Sequence, residues 1–214
     1  MRPATLALFI GGATLLAPVA PAQSVSGKAY GARVQSPLGT QQSAVAILPE
    51  GTASDGGMAD DAADGMSVPG TLTTEALTGT TSGAIGDAAA AQSVATVFNV
   101  NLLNGLITAS SLTATVSSTS NGAQATSNAL GSTLADLVVN GVQLTSGDGA
   151  VAPNTRITLP GVGYVILNEQ LPTGDGVRAS GLTVNLIHVV LRDALTGLQT
   201  GEVIVGSATS SATM

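Results

Sequence analysis

Cysteine and tryptophan are both absent from the 214-residue chain. Without thiols there is no disulfide framework and no thiolate chemistry, so the chain must be held by its core, its hydrogen bonds, a metal or assembly. Charged residues make up only 9% of the sequence, against about 25% in an ordinary globular domain. Cations are the scarcer sign: six Lys and Arg stand against thirteen Asp and Glu, for a net charge of −7. Nucleic acid and anionic membrane surfaces are recruited by cationic side chains, so this balance argues against both as partners. Aromatic residues are 2% of the chain. Beyond the N-terminal segment only Tyr30, Phe98 and Tyr164 remain. Phe98 is expected in the core and Tyr164 half-buried, which leaves few ring faces for stacking sugars and disfavours a lectin-type module.

The N-terminus reads "MRPATLALFIGGATLLAPVAPAQS". Arg2 gives a short positive start, an apolar stretch runs from Leu6 to about Val19, and Ala20-Pro21-Ala22 places small residues where a signal peptidase reads them. The stretch is shorter than the roughly 20 apolar residues of a spanning helix, and Gly11, Gly12 and Pro18 interrupt it. Residues 1–22 are therefore expected to be a cleaved signal peptide, and 23–214 a secreted or extracellular chain forming one domain. Loss of Arg2 moves the net charge from −7 to −8. With Gly, Ala, Ser and Thr abundant, the surface must be covered largely by Thr, Ser, Asn and Gln. Low charge removes one defence against edge-to-edge strand pairing, so self-association, or association with other cell-surface components, is the expected kind of partnership. Neither a transmembrane segment nor a sorting motif is expected in residues 23–214.

The rest is punctuated by Gly and Asn at short intervals. Strands are expected around Val25–Val34, over "SAVAILPE", over "TLTTEALTG" and "SGAIGD", from about Gln92 along "VATVFNVNLL", and over "GLITASSLTATVSST". Residues 51–70, "GTASDGGMADDAADGMSVPG", have no apolar period and read as a mobile acidic loop. Asn121-Gly122 and Asn140-Gly141 are hairpin signals. Ser132 or Thr133 could cap one helical turn. In "NTRITLPGVGYVILNEQ", residues 154–170, Pro160-Gly161 fits the centre of a type II turn between two strands. "GLTVNLIHVVL" is apolar on both faces and reads as a central strand; "TGEVIVGSATSS" is the last, with Val203 and Val205 on one face. A dozen short strands at intervals of about 8–12 residues predict an all-β sandwich, jelly-roll-like or immunoglobulin-like, with a barrel or a solenoid-like β fold as the alternatives.

"NTRITLPGVGYVILNEQ", "GLTVNLIHVVL" and "GEVIVGSATS" in that order, with "AYGARV" before them and "GLITASSLTATV" between, resemble the choice-of-anchor P family of exported bacterial proteins. The resemblance covers most of 23–214, apart from the acidic stretch at 51–70. It implies a surface domain and no catalytic residues. The anchor tail of such families has no counterpart here, so covalent anchoring is not carried over.

Four kinds of site are weighed. His188 is the single histidine, and inside an apolar run it reads as a hydrogen-bonded residue on a strand face rather than a catalyst. Glu169 and Glu202 could serve as a glycosidase pair only if the fold brought them together; each reads as a solvated charge at a strand end. Asp55, Asp60, Asp61 and Asp64 are weak Ca²⁺ candidates, since hard oxygen ligands suit that ion, but their spacing is not that of an EF-hand. The glycines form no phosphate-binding arrangement. The expectation is an exported, non-enzymatic structural or adhesive protein, with no cofactor and no catalytic residue; a binding module using the acidic loop for Ca²⁺ or a ligand is the alternative.

Overall fold

β-Branched side chains suit a pleated surface, and Val, Ile and Thr alternate with small polar residues along most of this chain. The computed structural model describes residues 23–49 and 57–214, which form seventeen strands and, among the described residues, no helix. They are β1 (Ser24–Ser36), β2 (Gly39–Leu48), β3 (Gly57–Ala63), β4 (Met66–Val68), β5 (Leu72–Thr74), β6 (Leu77–Ile85), β7 (Ala89–Leu102), β8 (Ile107–Ser120) and β9 (Ala125–Asn128). There follow β10 (Thr133–Ala135), β11 (Val138–Val139), β12 (Val142–Gln143), β13 (Asp148–Gly149), β14 (Thr155–Leu159), β15 (Gly163–Gly174), β16 (Ala179–Arg192) and β17 (Gln199–Thr213).

Two antiparallel sheets face each other as a sandwich, not as a closed barrel or a solenoid. The first runs β14-β15-β16-β17-β1-β2. The second is built on the long β7–β8 pair. Strands β5 and β6 share the free side of β7, with β4 and β3 beyond them; β9, β10 and β11 share the free side of β8. The chain enters and leaves in the first sheet, where β17 lies between β1 and β16. β16 is buried along most of its length on both faces, as its apolar run predicts.

The turns follow their sequence chemistry. Asn140 and Gly141 both take positive φ (51° and 76°) and join β11 to β12 as a two-residue hairpin. Around Pro160-Gly161 the Val162 N–H donates to the Leu159 carbonyl (3.0 Å), with Gly161 at φ 74°, the geometry of a type II turn.

Several expectations are corrected. Residues 57–68 are not a loop: β3 pairs with β6 through all seven of its residues, and β4 pairs with β5. An edge strand with solvent on one face needs no apolar alternation, and its carboxylates discourage further strands from adding there. Residues 50–56 lie outside the described residues. Strand β7 begins at Ala89, not Gln92, because its alanines fill the narrow space between the sheets. For the same reason Ala95 and Val97 take the core side and Phe98 is 44% exposed. No helical turn forms at Ser132; its hydroxyl instead donates to the Thr115 carbonyl and accepts from the Thr115 N–H, both at 3.0 Å.

The interior is only partly apolar. A large cluster containing Leu77, Leu102, Leu112, Leu186 and Val205 fills one half of the sandwich. A small one, Val25, Leu48, Ala89, Ala91 and Ala212, fills the far end. Between them runs a row of hydroxyls. Ser93 donates to the Thr209 carbonyl (2.6 Å) and meets Thr81 (2.9 Å), while Ser118 meets Ser210 (2.7 Å) and Ser127 (2.8 Å). Thr81, Ser93, Ser118 and Ser210 are fully buried. A hydroxyl can both donate and accept, and each of these four has at least one partner, so the row stitches the sheets together without leaving its buried hydroxyls unpaired. Glycines let the sheets approach closely beside this row, Gly79 against the Ala44 and Ala29 carbonyls and Gly83 against Leu48 and Val25.

Candidate functional site

A strand with strict alternation puts residues i and i+3 on opposite faces. The first sheet breaks that rule along one line. At the same level on five neighbouring strands lie Asn168, Leu186, Gly206, Gly31 and Ala44, each passed over in registers that resume unshifted on either side. Asn168, Gly206 and Ala44 take positive φ (48°, 68° and 54°). Glycine enters that region freely, Asn with little penalty and Ala at greater cost. Beyond the line the facing of each strand reverses while the register is kept. Core residues are Val184, Leu186, then Ile187 and Val189 on β16, and Ala29, then Ala32 and Val34 on β1. In consequence Asn185 and His188 share the outer face, as do Tyr30 and Arg33, and Ser207 and Ile204.

That reversal assembles a polar network from four strands. His188 donates from Nδ1 to Oε2 of Glu169 (2.9 Å), and Asn185 Nδ2 donates to the same oxygen (2.7 Å). Ser207 donates to Oδ1 of Asn185 (2.7 Å). On the other side of the ring, Nε2 lies 3.5 Å from Oε2 of Glu202, whose other oxygen accepts from Nη2 of Arg33. The 3.5 Å contact is an ion-pair distance without hydrogen-bond geometry. His188 Nε2 and Arg33 Nε are therefore shielded from water with no hydrogen-bond partner.

With the ring protonated, His188 and Arg33 balance the two carboxylates. Their side chains are 15%, 12% and 19% exposed for His188, Glu169 and Glu202. Burial alone would strip the proton from His188, but the hydrogen bond and charge of Glu169, with the charge of Glu202, overcome it and raise the ring above its ordinary pKa. The hydrogen bond from His188 holds Glu169 below the usual carboxylate range; burial opposes this and Asn185 assists it. Burial pushes the Tyr30 phenol up, against a hydrogen bond with Ser207.

The sequence-based picture of Glu169 and Glu202 as solvated strand-end charges is thus overturned. Both lie within strands, both are half-buried, and the fold brings them to the two sides of the one histidine. The two carboxylates contact opposite nitrogens of the ring, so the three groups diverge rather than converge on a common point. Two shallow depressions, about 410 and 390 Å³, are lined by other residues: Ser82, Ala90, Gln92 and Ser117 in one, Val34, Thr40, Val68 and Pro69 in the other.

The aspartates of the proposed Ca²⁺ set are not brought together. Asp60 and Asp61 are consecutive on β3 and point to opposite faces. Asp61 turns toward the first sheet, where its carboxylate accepts from the Val45 N–H (2.7 Å). Asp64 lies beyond the strand, and Asp55 falls outside the described residues. Among the described residues no three acidic or histidine side chains form a group that could hold a metal ion. No described helix is long and apolar enough to cross a membrane.

Tyr164 forms a second assembly on the same outer face. The Arg156 guanidinium stacks 3.8 Å from its ring centre and that of Arg192 lies 5.4 Å away. Comparison with protein-family models, curated proteins and solved structures returns no match.

Proposed function

We propose that this chain is an exported, non-enzymatic structural or adhesive protein that works by self-association at or outside the cell surface. The observation that carries this reading is the way the reactive side chains consume one another. The histidine is held from both sides by carboxylates, and the second of these is held by Arg33. Catalysis ordinarily needs such groups to converge on a substrate cleft, and the depressions noted above are lined by other residues. The seventeen-strand sandwich, stitched internally by buried hydroxyls, suits a scaffold, and the signal-like N-terminus and the resemblance to choice-of-anchor P proteins favour export.

The test combines location with assembly. Produced in a bacterial host with its N-terminus intact, the chain is expected outside the cytoplasm with Gln23 as its first residue by mass spectrometry. Purified, it is expected to sediment as larger species as its concentration rises. A monomer at every concentration would sink the self-association reading, and retention inside the cell would sink export.

A further inference from the structure

The charges of this chain are sorted between its two sheets. Residues 57–149, the second sheet, carry seven carboxylates and no lysine or arginine. The segments 24–48 and 155–213, the first sheet, carry five cations against four carboxylates. All seven second-sheet carboxylates are exposed. The molecule therefore presents one strongly acidic side and one near-neutral side.

The cations of the first sheet are not equivalent. Arg33 is neutralised by Glu202, and Lys28 rests above Tyr30 at 5.4 Å. Arg156 and Arg192 are exposed, and among the described residues neither forms an ion pair; both lie against Tyr164. A guanidinium is weakly hydrated and offers a planar fork of donors that matches a carboxylate. Two such forks beside one aromatic ring combine the residue types that most often dominate protein interfaces. Asp60 is a suitable counterpart: it stands exposed on β3, directly across from Thr80, on the outer face of the second sheet.

We propose that copies of this chain stack face to back, the Arg156–Tyr164–Arg192 cluster of one copy receiving carboxylates around Asp60 from the second sheet of the next. The proposal rests on the self-association reading above and specifies its geometry. The two patches lie on opposite sides of the sandwich, so the contact is heterologous, and repetition gives an open stack rather than a closed dimer. Growth through paired strand edges is disfavoured at the β2–β3 margin, where Asp61 already occupies the Val45 N–H.

Sedimentation velocity of the 23–214 chain tests this at low and high salt, since the screening length falls from about 10 Å at 0.1 M to about 3 Å at 1 M. The stack is expected at 0.1 M and dispersed at 1 M. Arg156→Glu with Arg192→Glu is expected to weaken association at least roughly tenfold. Because this variant keeps its acidic side, small amounts added to the wild type should shorten the wild-type stacks. Asp60→Lys with Asp64→Lys should bind the glutamate variant while failing to stack alone. These four residues are exposed, and an unchanged melting temperature verifies that each variant folds. Association that ignores both salt and the arginine pair would overturn the stacking geometry and leave the self-association reading standing. A wild-type monomer at 0.1 M at every concentration would overturn both.

Discussion

Gly79→Val is expected to lower stability by about 3 kcal/mol or more, at or above the upper end of ordinary overpacking. A Cβ at Gly79 would lie 2.7 Å from the Ala44 carbonyl oxygen and 3.1 Å from that of Ala29. Both are backbone atoms of the facing sheet, so neither can rotate aside. Relief requires the sheets to part, and parting disturbs their other close contacts. Gly31 fits against Leu77 with no room for a methyl group, its added Cβ falling 2.6 Å from that side chain. The Ser93–Thr209 and Ser118–Ser210 bonds, which cross between the sheets, would lengthen. For a domain of this size each kcal/mol is worth about 2–4 °C, so the melting temperature should fall by about 6–12 °C. Gly86→Ala supplies the control, because its added Cβ meets nothing within 4 Å; it is expected to change stability by less than about 0.5 kcal/mol. Thermal melts followed by circular dichroism would show the contrast. Equal melting temperatures for the two variants would mean that the close approach of the sheets does not limit packing.

The same contacts explain which parts of the fold were legible in the sequence. Strand β16 announces itself because it is apolar on both faces, and the Asn140-Gly141 and Pro160-Gly161 turns because their backbone needs select those residues. Strand β3 does not. Its sequence, "GMADDAA", has the composition of a solvated loop, and only its pairing with β6 makes it a strand. Phe98 misleads in the opposite direction: size suggests the core, but a gap narrow enough for Ala95 leaves a phenyl ring outside. The interior hydroxyls are equally silent. Ser93 and Ser118 read as surface residues until Thr209 and Ser210 are placed against them from the other sheet.

The candidate site was hidden by a single local event. Period-two alternation puts Asn185 and His188 on opposite faces, and likewise Tyr30 and Arg33. The line through Asn168, Gly206 and Ala44 inserts one residue out of alternation and puts each pair on one face. Gly206 was a visible hint, being a glycine within a β-branched run. The positive φ of Ala44 has no sequence signal, since alanine is disfavoured there. Glu169 and Glu202 are 33 positions apart in the chain, and only the order β15-β16-β17 sets them on either side of His188.

Stability should therefore peak at mildly acidic pH and fall as the solution turns alkaline. The folded-state pKa of His188 is raised. Its contribution is complete below the unfolded value, about 6.5, and is lost as pH rises through the higher folded value. The folded-state pKa of Glu169 is lowered from 4.5. Its contribution is present above that figure and is lost as pH falls through the folded value. The two overlap between about pH 4.5 and 6.5. His188→Gln retains bulk and one donor but no charge. It is expected to be less stable than the wild type by about 2 kcal/mol in that window, the scale of a hydrogen bond to a charged partner. As pH rises through the raised folded-state value the two proteins should converge, because the wild-type ring loses its proton there. Glu202→Gln should shift the wild-type decline to lower pH, since it removes one of the charges that hold the proton on the ring. Urea midpoints measured from about pH 4 to 9 give all three curves; the upper bound stays below the ionisation of Tyr30, which burial pushes above 10.0. If wild type and His188→Gln run parallel across this range, the ring carries no charge in the folded protein, and Glu169 and Glu202 do not act on it as the geometry requires.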